Sequence, residues 1–433
     1  MVDHYFYIYG SISKTLVMKK ILKIFLYSLL VIIFGAIATV HIIFHTYSPD
    51  DKGVSVNAPN LVYFQESYDD CRQSFLTEAR NVTDRYDKAE LFSINVPSQV
   101  DNNLFIDLLY IPPLRDTSKL LLLSSGVHGF EGFTGSAVQQ MFVKELITPE
   151  VLEETGILII HGVNPFGFKY FRRVSENNVD LNRGSEMDDS LFENTNPGYG
   201  ALYNLLNPHG KVSTNSLRNQ FFYMITIRKI IKESMGALRQ AILQGQYEYP
   251  EGLYFGGTDF EPQIDSLKKI LPGYFSTYET IMEIDLHTGY GARRVLHLFP
   301  NAIDDPEVRA KTESLFEGHS IDWGDSEDFY TVSGHFADAF LKKVNPDAQY
   351  LYMDFEWGTM DSQKTFGSIK SIQRMINENQ GFQYGYKNEK QEQKVKKAVL
   401  ELYYPASEAW RSEVINSGRD MLKLVLKTYP TLN

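Results

Sequence analysis

The chain has 433 residues and a net charge of −12 at neutral pH, an acidic balance that argues against a nucleic-acid partner. Its hydrophobic content of 43% is enough for a large core, and its length suits one α/β domain with insertions. The single cysteine, Cys71, excludes an intramolecular disulfide and any cysteine-rich metal cluster.

The N-terminus predicts a membrane-spanning helix. Residues 24–44 carry no formal charge apart from a titratable His41, and these 21 residues, at about 1.5 Å each, span a hydrocarbon core of roughly 30 Å. A basic flank, residues 1–23, precedes this segment, and the residues after it are acidic. This asymmetry favours an uncleaved, single-pass anchor in the cell membrane, with the rest of the chain outside the cytoplasm, in the periplasm or the extracellular space.

The alternative is a signal peptide whose cleavage releases a secreted form. Residues 18–20 resemble a bacterial start, and residues 36–38 resemble a small-residue cleavage site. Against cleavage, the apolar run continues through Phe44. We therefore expect the helix to remain attached and to make the membrane a partner of the protein.

Beyond the anchor, residues 46–60 are predicted to be a linker and residues 61–430 a single catalytic domain. No internal repeat and no Pro/Gly-rich hinge divides the longer segment. Within it, residues 211–245 are typical of an amphipathic helix, and the glycine-containing loop that follows can approach a cleft closely.

An apolar stretch followed by small residues, at positions 119–139, predicts a strand and a loop that carries His128 and Glu131. In such a turn, an imidazole and a carboxylate can share one Zn²⁺. The spacing alone is weak evidence, because about one His-x-x-Asp/Glu pair is expected by chance in this composition. Two further pairs have the same spacing: His319 with Asp322, and His335 with Asp338.

Other polar residues lie where apolar strands are predicted to end. Asp285 and His287 are two positions apart on a predicted strand and share one face. Glu356 ends another apolar strand, and such strand ends are where open α/β sheets bind ligands. By contrast, His161 and His297 lie in apolar strand patterns that are more typical of core histidines than of ligands. The remaining candidates, in chain order, are Arg172, Arg173, Asp180, Asn182, Arg183 and Tyr330.

Together these motifs resemble the zinc carboxypeptidase clan, which includes the pancreatic carboxypeptidases and, as amidohydrolase relatives, aspartoacylase and succinylglutamate desuccinylase. The clan's order is His-x-x-Glu, Asn-Pro-Asp-Gly, Arg, Asp-x-Asn-Arg, a second His, a Tyr before Ser-Gly, and a Glu. The arrangement is most similar to a mainly bacterial branch known as domain of unknown function 2817, over about residues 60–425. The corresponding positions here are His128 and Glu131, residues 164–167, Arg172 or Arg173, residues 180–183, His287, Tyr330 and Glu356.

The resemblance implies an α/β fold with a mixed, mainly parallel eight-stranded sheet and helices on both faces. It also implies a Zn²⁺ cofactor held by His128, Glu131 and His287. Glu356 would be the general base. Either Arg172 or Arg173 would stabilise the oxyanion, and the resemblance does not choose between them.

The same resemblance assigns residues to the substrate. Asn182 and Arg183 would bind a substrate carboxylate, which a planar guanidinium matches, and Tyr330 would close over the bound substrate. Asp180 and Asp285 would orient the ligating histidines from behind. The chain departs from the clan at Gly184, which puts the shape of the pocket in doubt, and in the 104 positions from Arg183 to His287, which are enough for helices that cap the cleft.

We therefore expect a zinc-dependent hydrolase, of metallocarboxypeptidase type, that cleaves an amide bond next to a free carboxylate in a small peptide or an N-acyl amino acid. One alternative is an N-acyl amino-acid deacylase of the aspartoacylase type, because Asp-Leu-His-Thr at 285–288 also resembles that side of the clan. The other is a non-catalytic envelope protein that binds peptides or glycans. Glu356 separates these classes, since a binding protein has no need of a carboxylate there. The sequence does not indicate an oligomeric state.

Overall fold

The computed structural model of this chain describes residues 2–300, 303, 305–323 and 332–432. The chain forms two compact units that divide after Ser48. The first is one long helix, α1 (Val2–Thr46). Its segment Met18–Thr46 has a mean hydropathy of 2.5 and is long enough to cross a membrane, properties that a signal sequence shares.

The second unit is built around one mixed β-sheet. Its strands are β1 (Glu90–Asn95), β2 (Phe105–Ile111), β3 (Lys119–Ser125), β4 (Gly156–His161), β5 (Thr280–Gly289), β6 (Leu296–Phe299) and β7 (Gln349–Gly358). The order across the sheet is β1-β2-β4-β3-β5-β7-β6. Strands β4, β3, β5 and β7 are mutually parallel. Strand β2 runs antiparallel to β4 and to the edge strand β1, and the edge strand β6 runs antiparallel to β7.

The expected mainly parallel sheet of eight strands is wrong. Among the described residues the sheet has seven strands, with three parallel and three antiparallel pairings. A run of buried apolar residues is typical of a parallel strand, yet β2 is mostly buried and pairs antiparallel with β4. Strand direction depends on how distant segments connect, which apolar periodicity does not encode.

Helices cover both faces of the sheet. Successive residues of β3 point to opposite faces, so that Leu121 and Leu123 join one hydrophobic cluster while Leu120 and Leu122 join the other. The helices after α1 are α2 (Tyr68–Thr83), α3 (Gly132–Glu145), α4 (Pro149–Glu154), α5 (Pro165–Lys169), α6 (Pro197–Leu206), α7 (Leu217–Gln220), α8 (Phe222–Glu233), α9 (Met235–Leu243), α10 (Pro262–Phe275), α11 (Pro306–Leu315), α12 (Lys342–Val344), α13 (Thr365–Tyr384), α14 (Glu389–Tyr403) and α15 (Glu408–Thr428). The first cluster contains side chains of α2, α3 and α15, and the second contains side chains of α10.

The predicted linker, residues 46–60, is partly packed onto the second unit. The carboxylate of Asp51 pairs with Arg293, whose Nη2 lies 2.6 Å from Oδ2, and with Arg294 at 3.0 Å. A short 3₁₀ helix, Ala58–Tyr63, follows and buries Tyr63. The compact unit thus begins at Pro49.

Because β4, β3, β5 and β7 are parallel, their carboxyl ends lie along one edge of the sheet. Each strand is followed there by a loop or a helix start with polar side chains. This edge is where ligands bind in open α/β sheets, and it carries the candidate site.

Candidate active site

His128 and Glu131 lie in the tight turn that joins β3 to α3. The turn needs glycine at position 129, because a Cβ there would lie 2.0 Å from the backbone carbon of Gly167. Gly167 belongs to α5, which Asn164 caps by accepting a hydrogen bond from the Gly167 N–H at 2.9 Å. The close packing of these two segments therefore fixes the position of the His128–Glu131 turn.

The structure brings His128, Glu131 and His287 together, and all three are buried. Nδ1 of His128 lies 2.9 Å from Oε1 of Glu131, and Nδ1 of His287 lies 2.8 Å from Oε2 of the same carboxylate. One potential ligand atom from each residue lies within 4.8 Å of the others. The two imidazoles thus present their Nδ1 atoms to one carboxylate.

The outer nitrogen of each histidine faces a second carboxylate. Nε2 of His128 lies 3.2 Å from Oδ1 of Asp180, and Nε2 of His287 lies 2.7 Å from Oδ2 of Asp285. Such partners orient a metal-binding imidazole and leave Nδ1 as the ligating atom. Asp180 and Asp285 are the two residues that the sequence analysis expected to orient the histidines, and the structure brings each of them to one imidazole.

This set of donors fits Zn²⁺, which binds two imidazole nitrogens and one carboxylate in many catalytic sites. Burial alone would lower the pKa of His287, but the carboxylates of Asp285 and Glu131 raise it well above its usual value. Burial likewise opposes ionisation of Glu131, yet His128 and His287 hold its pKa well below the usual range. Positive charge is therefore favoured at the centre of the cluster, as a metal-ion site requires.

The two adjacent arginines lie in different places. Nε of Arg173 donates to Oδ2 of Asp180 at 2.9 Å, and its Nη1 lies 3.6 Å from Oε1 of Glu131, so its side chain borders the cleft. Nε of Arg172 donates to Glu378 at 2.9 Å, and its guanidinium lies 3.5 Å from the centre of the Phe382 ring.

Arg172 was the other candidate for the oxyanion residue. The structure places its buried side chain away from the cluster, paired with Glu378. Arg173 is the arginine that the structure places beside the cluster.

Asn182 and Arg183 also line the cleft. The amide oxygen of Asn182 accepts from the Phe336 N–H at 3.0 Å. The guanidinium of Arg183 donates through Nε to the Leu243 carbonyl at 2.8 Å and through Nη1 to the Asn182 carbonyl at 2.7 Å. Both acceptors are neutral, and within the described part of the chain no carboxylate forms an ion pair with Arg183.

Gly184 has a packing role. A Cβ at this position would lie 2.6 Å from the carbonyl oxygen of Gly256. The departure from the clan pattern at residue 184 therefore accommodates the close approach of the loop that contains Gly256, within the segment between Arg183 and His287.

Glu356 lies on β7 directly beside His287 of β5, in register across the parallel pair. It lines the cleft and is partly exposed, and its Oε2 accepts a hydrogen bond from the Tyr290 N–H at 3.4 Å. Burial in the cleft raises the pKa of its carboxyl to about 8, with further contributions from the carboxylates of Glu131 and Asp354. A carboxyl group tuned in this way suits proton transfer near neutral pH.

Tyr330, predicted to close over the substrate, lies outside the described residues. The cleft residues that the sequence analysis missed include His335, Asp354, Tyr254 and Tyr403. Nε2 of His335 lies 3.5 Å from Oδ2 of Asp354, although the His335-x-x-Asp338 spacing had been set aside as chance. The Tyr254 ring lies 5.4–5.5 Å from the guanidinium carbons of Arg173 and Arg183. No local pattern marks either tyrosine in a chain with 27 of them.

The cleft has a volume of ≈ 280 Å³. Its polar side is the cluster just described. Its other side consists of α8, α9 and α13, of which α8 and α9 lie in the long segment between Arg183 and His287 that was expected to cap the cleft.

The fold and the site define a mixed α/β protein with a buried His-Glu-His cluster and a neighbouring carboxylate at the ends of parallel strands. The chain belongs to the family described as "Protein of unknown function (DUF2817)", which matches residues 64–417. This confirms the family suggested by the order of the motifs. No curated protein matches the chain.

Three solved structures illustrate the structural similarities. Carboxypeptidase A from Helicoverpa armigera is 12% identical and has a TM-score of 0.38, with 78% of this chain and 73% of that one covered. An aspartoacylase family protein from Mesorhizobium loti is 14% identical and has a TM-score of 0.34, with 70% and 68% covered. Murein-tripeptide amidase from Escherichia coli O157 is 12% identical and has a TM-score of 0.32, with 66% and 91% covered. At these scores the similarities are too weak to establish a shared fold or activity.

Proposed function

We propose that this protein is a zinc-dependent hydrolase that cleaves an amide bond, in a small peptide or an N-acyl amino acid, next to a free carboxylate. The observation that supports this most strongly is the pair of Nδ1 atoms facing one buried carboxylate, with Glu356 on the next strand. A structural cluster would not need a partly exposed carboxyl group with a raised pKa beside it.

His128, Glu131 and His287 would hold the zinc, which when bound lowers the pKa of a water molecule and polarises a carbonyl group. Asp180 and Asp285 would keep the two imidazoles in the ligating tautomer. Glu356 would accept a proton from the attacking water and return it to the departing amine. Arg173 would donate an N–H to the oxyanion while Asp180 holds its other edge.

Arg183 and Asn182 would recognise the substrate carboxylate. Within the described residues the Arg183 guanidinium donates hydrogen bonds to neutral carbonyls, so its charge would be balanced by an anion that the substrate brings into the cleft. Tyr330 would cover the bound substrate. The aspartoacylase-type deacylase is the second candidate, and the apolar helices of the cleft favour it.

A comparison of free-acid and amidated substrates tests the carboxylate requirement. Full-length protein loaded with zinc is assayed on N-acyl amino acids and short peptides, each as the acid and as the amide. Amidation should weaken transition-state binding by about 2–5 kcal/mol, and Arg183→Ala should cost about the same, because each removes one partner of a desolvated charge pair. The Arg183→Ala variant assayed on an amidated substrate should lose little more transition-state binding energy than either change causes alone.

Arg228→Ala, at an exposed position of α8, is the matched control and should change kcat/KM neither for the free acids nor for the amides. Equal turnover of acids and amides would eliminate carboxylate recognition and leave a general amide hydrolase.

The apolar helix α1 would anchor the enzyme in the cell membrane with its catalytic unit outside the cytoplasm. A reporter fused after the C-terminus should therefore be exported, and the protein should remain in the membrane fraction with its N-terminus intact. A mature form that begins near Thr39 would instead establish a cleaved signal peptide.

A further inference from the structure

The two sides of the cleft are chemically unlike. One side carries at least five ionisable groups, which belong to the His-Glu-His cluster, Glu356 and the arginines of the cleft. The facing helices contribute mainly aliphatic side chains. Apolar side chains contribute to binding when an apolar group of the ligand displaces water from them, so we expect this side of the cleft to contact an apolar part of the ligand. The aliphatic residues of this helical wall are Ile230, Leu238, Ile242, Leu243, Ile369, Ile372 and Met375.

The helical wall is continuous with the polar side. Helix α8 contacts both α9 and α13, so the three helices form one surface. The Leu243 carbonyl at the end of α9 accepts the hydrogen bond from Nε of Arg183. A ligand whose carboxylate reached Arg183 would therefore lie directly beside the aliphatic side chains.

The wall offers few polar groups to a ligand. The backbone amides of helix interiors are satisfied by the helix itself, so the wall cannot pair with an extended peptide as a strand edge does. Two of its hydroxyl groups also turn back on their own helices: Thr226 donates to the Phe222 carbonyl at 3.0 Å, and Ser371 donates to the Gly367 carbonyl at 2.9 Å. Arg239, half-exposed on α9, adds a charge at the border of this surface.

We propose that the helical wall binds a linear aliphatic acyl chain, so that the substrates are N-acyl amino acids with a free carboxylate and an acyl group of medium length. This inference rests on the proposed hydrolase function and specifies its substrate. An acyl chain needs no hydrogen-bond partners, fills the space between branched and flexible side chains such as Ile230 and Met375, and leaves the amide at the cluster.

N-acylglycines of increasing chain length provide the test, because glycine has no side chain that could occupy the wall. For the zinc-loaded, full-length protein, kcat/KM should rise by about three- to fourfold per added methylene from acetyl upwards, the gain expected for burying one CH₂ group. The rise should stop at the length that fills the ≈ 280 Å³ cleft. Equal values from acetyl to decanoyl, or a preference for N-acetylphenylalanine over every N-acylglycine, would overturn the inference.

Adjacent isoleucines on α8 supply a matched pair of variants. Ile230 lines the cleft, whereas the side chain of Ile231 is 82% exposed. Ile230→Asn should lower the ratio of kcat/KM for decanoylglycine to kcat/KM for acetylglycine at least tenfold. Ile231→Asn should leave this ratio unchanged. Ile230→Trp should shift the preferred chain to a shorter length, and an unchanged length preference in both Ile230 variants would contradict the inference.

Binding separates this inference from the proposed function. Calorimetry with the same N-acylglycines and the zinc-loaded protein should show affinity that increases with chain length and that Ile230→Asn removes. If no substrate is hydrolysed but this trend holds, the hydrolase proposal fails and the acyl-binding wall stands. If hydrolysis occurs without the trend, the wall is wrong and the hydrolase stands.

Discussion

The cleft and the packed core beside it contain the same residue types in different settings. His287 lies near the C-terminal end of β5, in the cleft, with a carboxylate beside each ring nitrogen, and these carboxylates raise its pKa. His161 ends β4 in the core, stacked on Phe75 with ring centroids 4.5 Å apart, and burial lowers its pKa to about 4. The two histidines therefore differ in their partners, which are carboxylates for His287 and an aromatic ring for His161.

The adjacent arginines repeat this contrast. Arg173 shares the carboxylates of the cluster and borders the cleft, whereas Arg172 pairs with Glu378 inside the protein. The comparison predicts that substitution of a charged residue in the cleft lowers kcat, whereas substitution of a charged residue in the packed core lowers the free energy of unfolding.

Glu356 should give the largest effect on the cleft side. Glu356→Gln removes the proton acceptor but keeps the size of the side chain, so kcat should fall by roughly 10²–10⁴ on every substrate, with zinc content and unfolding temperature unchanged. Steady-state kinetics and metal analysis of the purified variant measure both quantities. Unchanged turnover would remove Glu356 from the mechanism.

Glu378→Gln is the matched change in the packed core. It takes the counter-charge from the buried Arg172 but leaves an acceptor, so the free energy of unfolding should fall by about 1–3 kcal/mol while kcat stays within twofold. A large loss of kcat without loss of stability would show that the two regions are not separate.

His161 should give the smallest effect, and only in acid. Its pKa is about 6.5 in the unfolded chain and about 4 in the folded protein, so between these values the unfolded state binds more protons. Stability from the neutral, buried ring is therefore complete above pH 6.5 and is lost as pH falls towards 4.

The variant His161→Phe keeps a stacked ring but does not titrate. From pH 7.5 to 5, the wild-type protein should lose about 2 kcal/mol more unfolding free energy than the variant, since a folded pKa of about 4 gives this difference by proton linkage. Denaturant unfolding at each pH measures it, and parallel pH profiles of the two proteins would refute the explanation.

The sequence predicted the residues of the cluster because their order is carried by short motifs, each at the end of an apolar run. It did not separate Arg172 from Arg173, since they differ in the distant carboxylates that they contact, Glu378 for Arg172 and Asp180 for Arg173. It also missed Asp354 and Tyr403, which reach the cleft from β7 and the end of α14. These positions, like the direction of β2, are set by packing between distant segments.

Zinc content tests the central claim most directly. Mass-spectrometric metal analysis of the purified full-length protein should find about one zinc per chain. His128→Ala, Glu131→Ala and His287→Ala should each lower that occupancy sharply, whereas His161→Ala, in the packed core, should retain it. Full zinc occupancy in all three cleft variants, or none in the wild-type protein after zinc is supplied, would contradict the metal site on which this account depends.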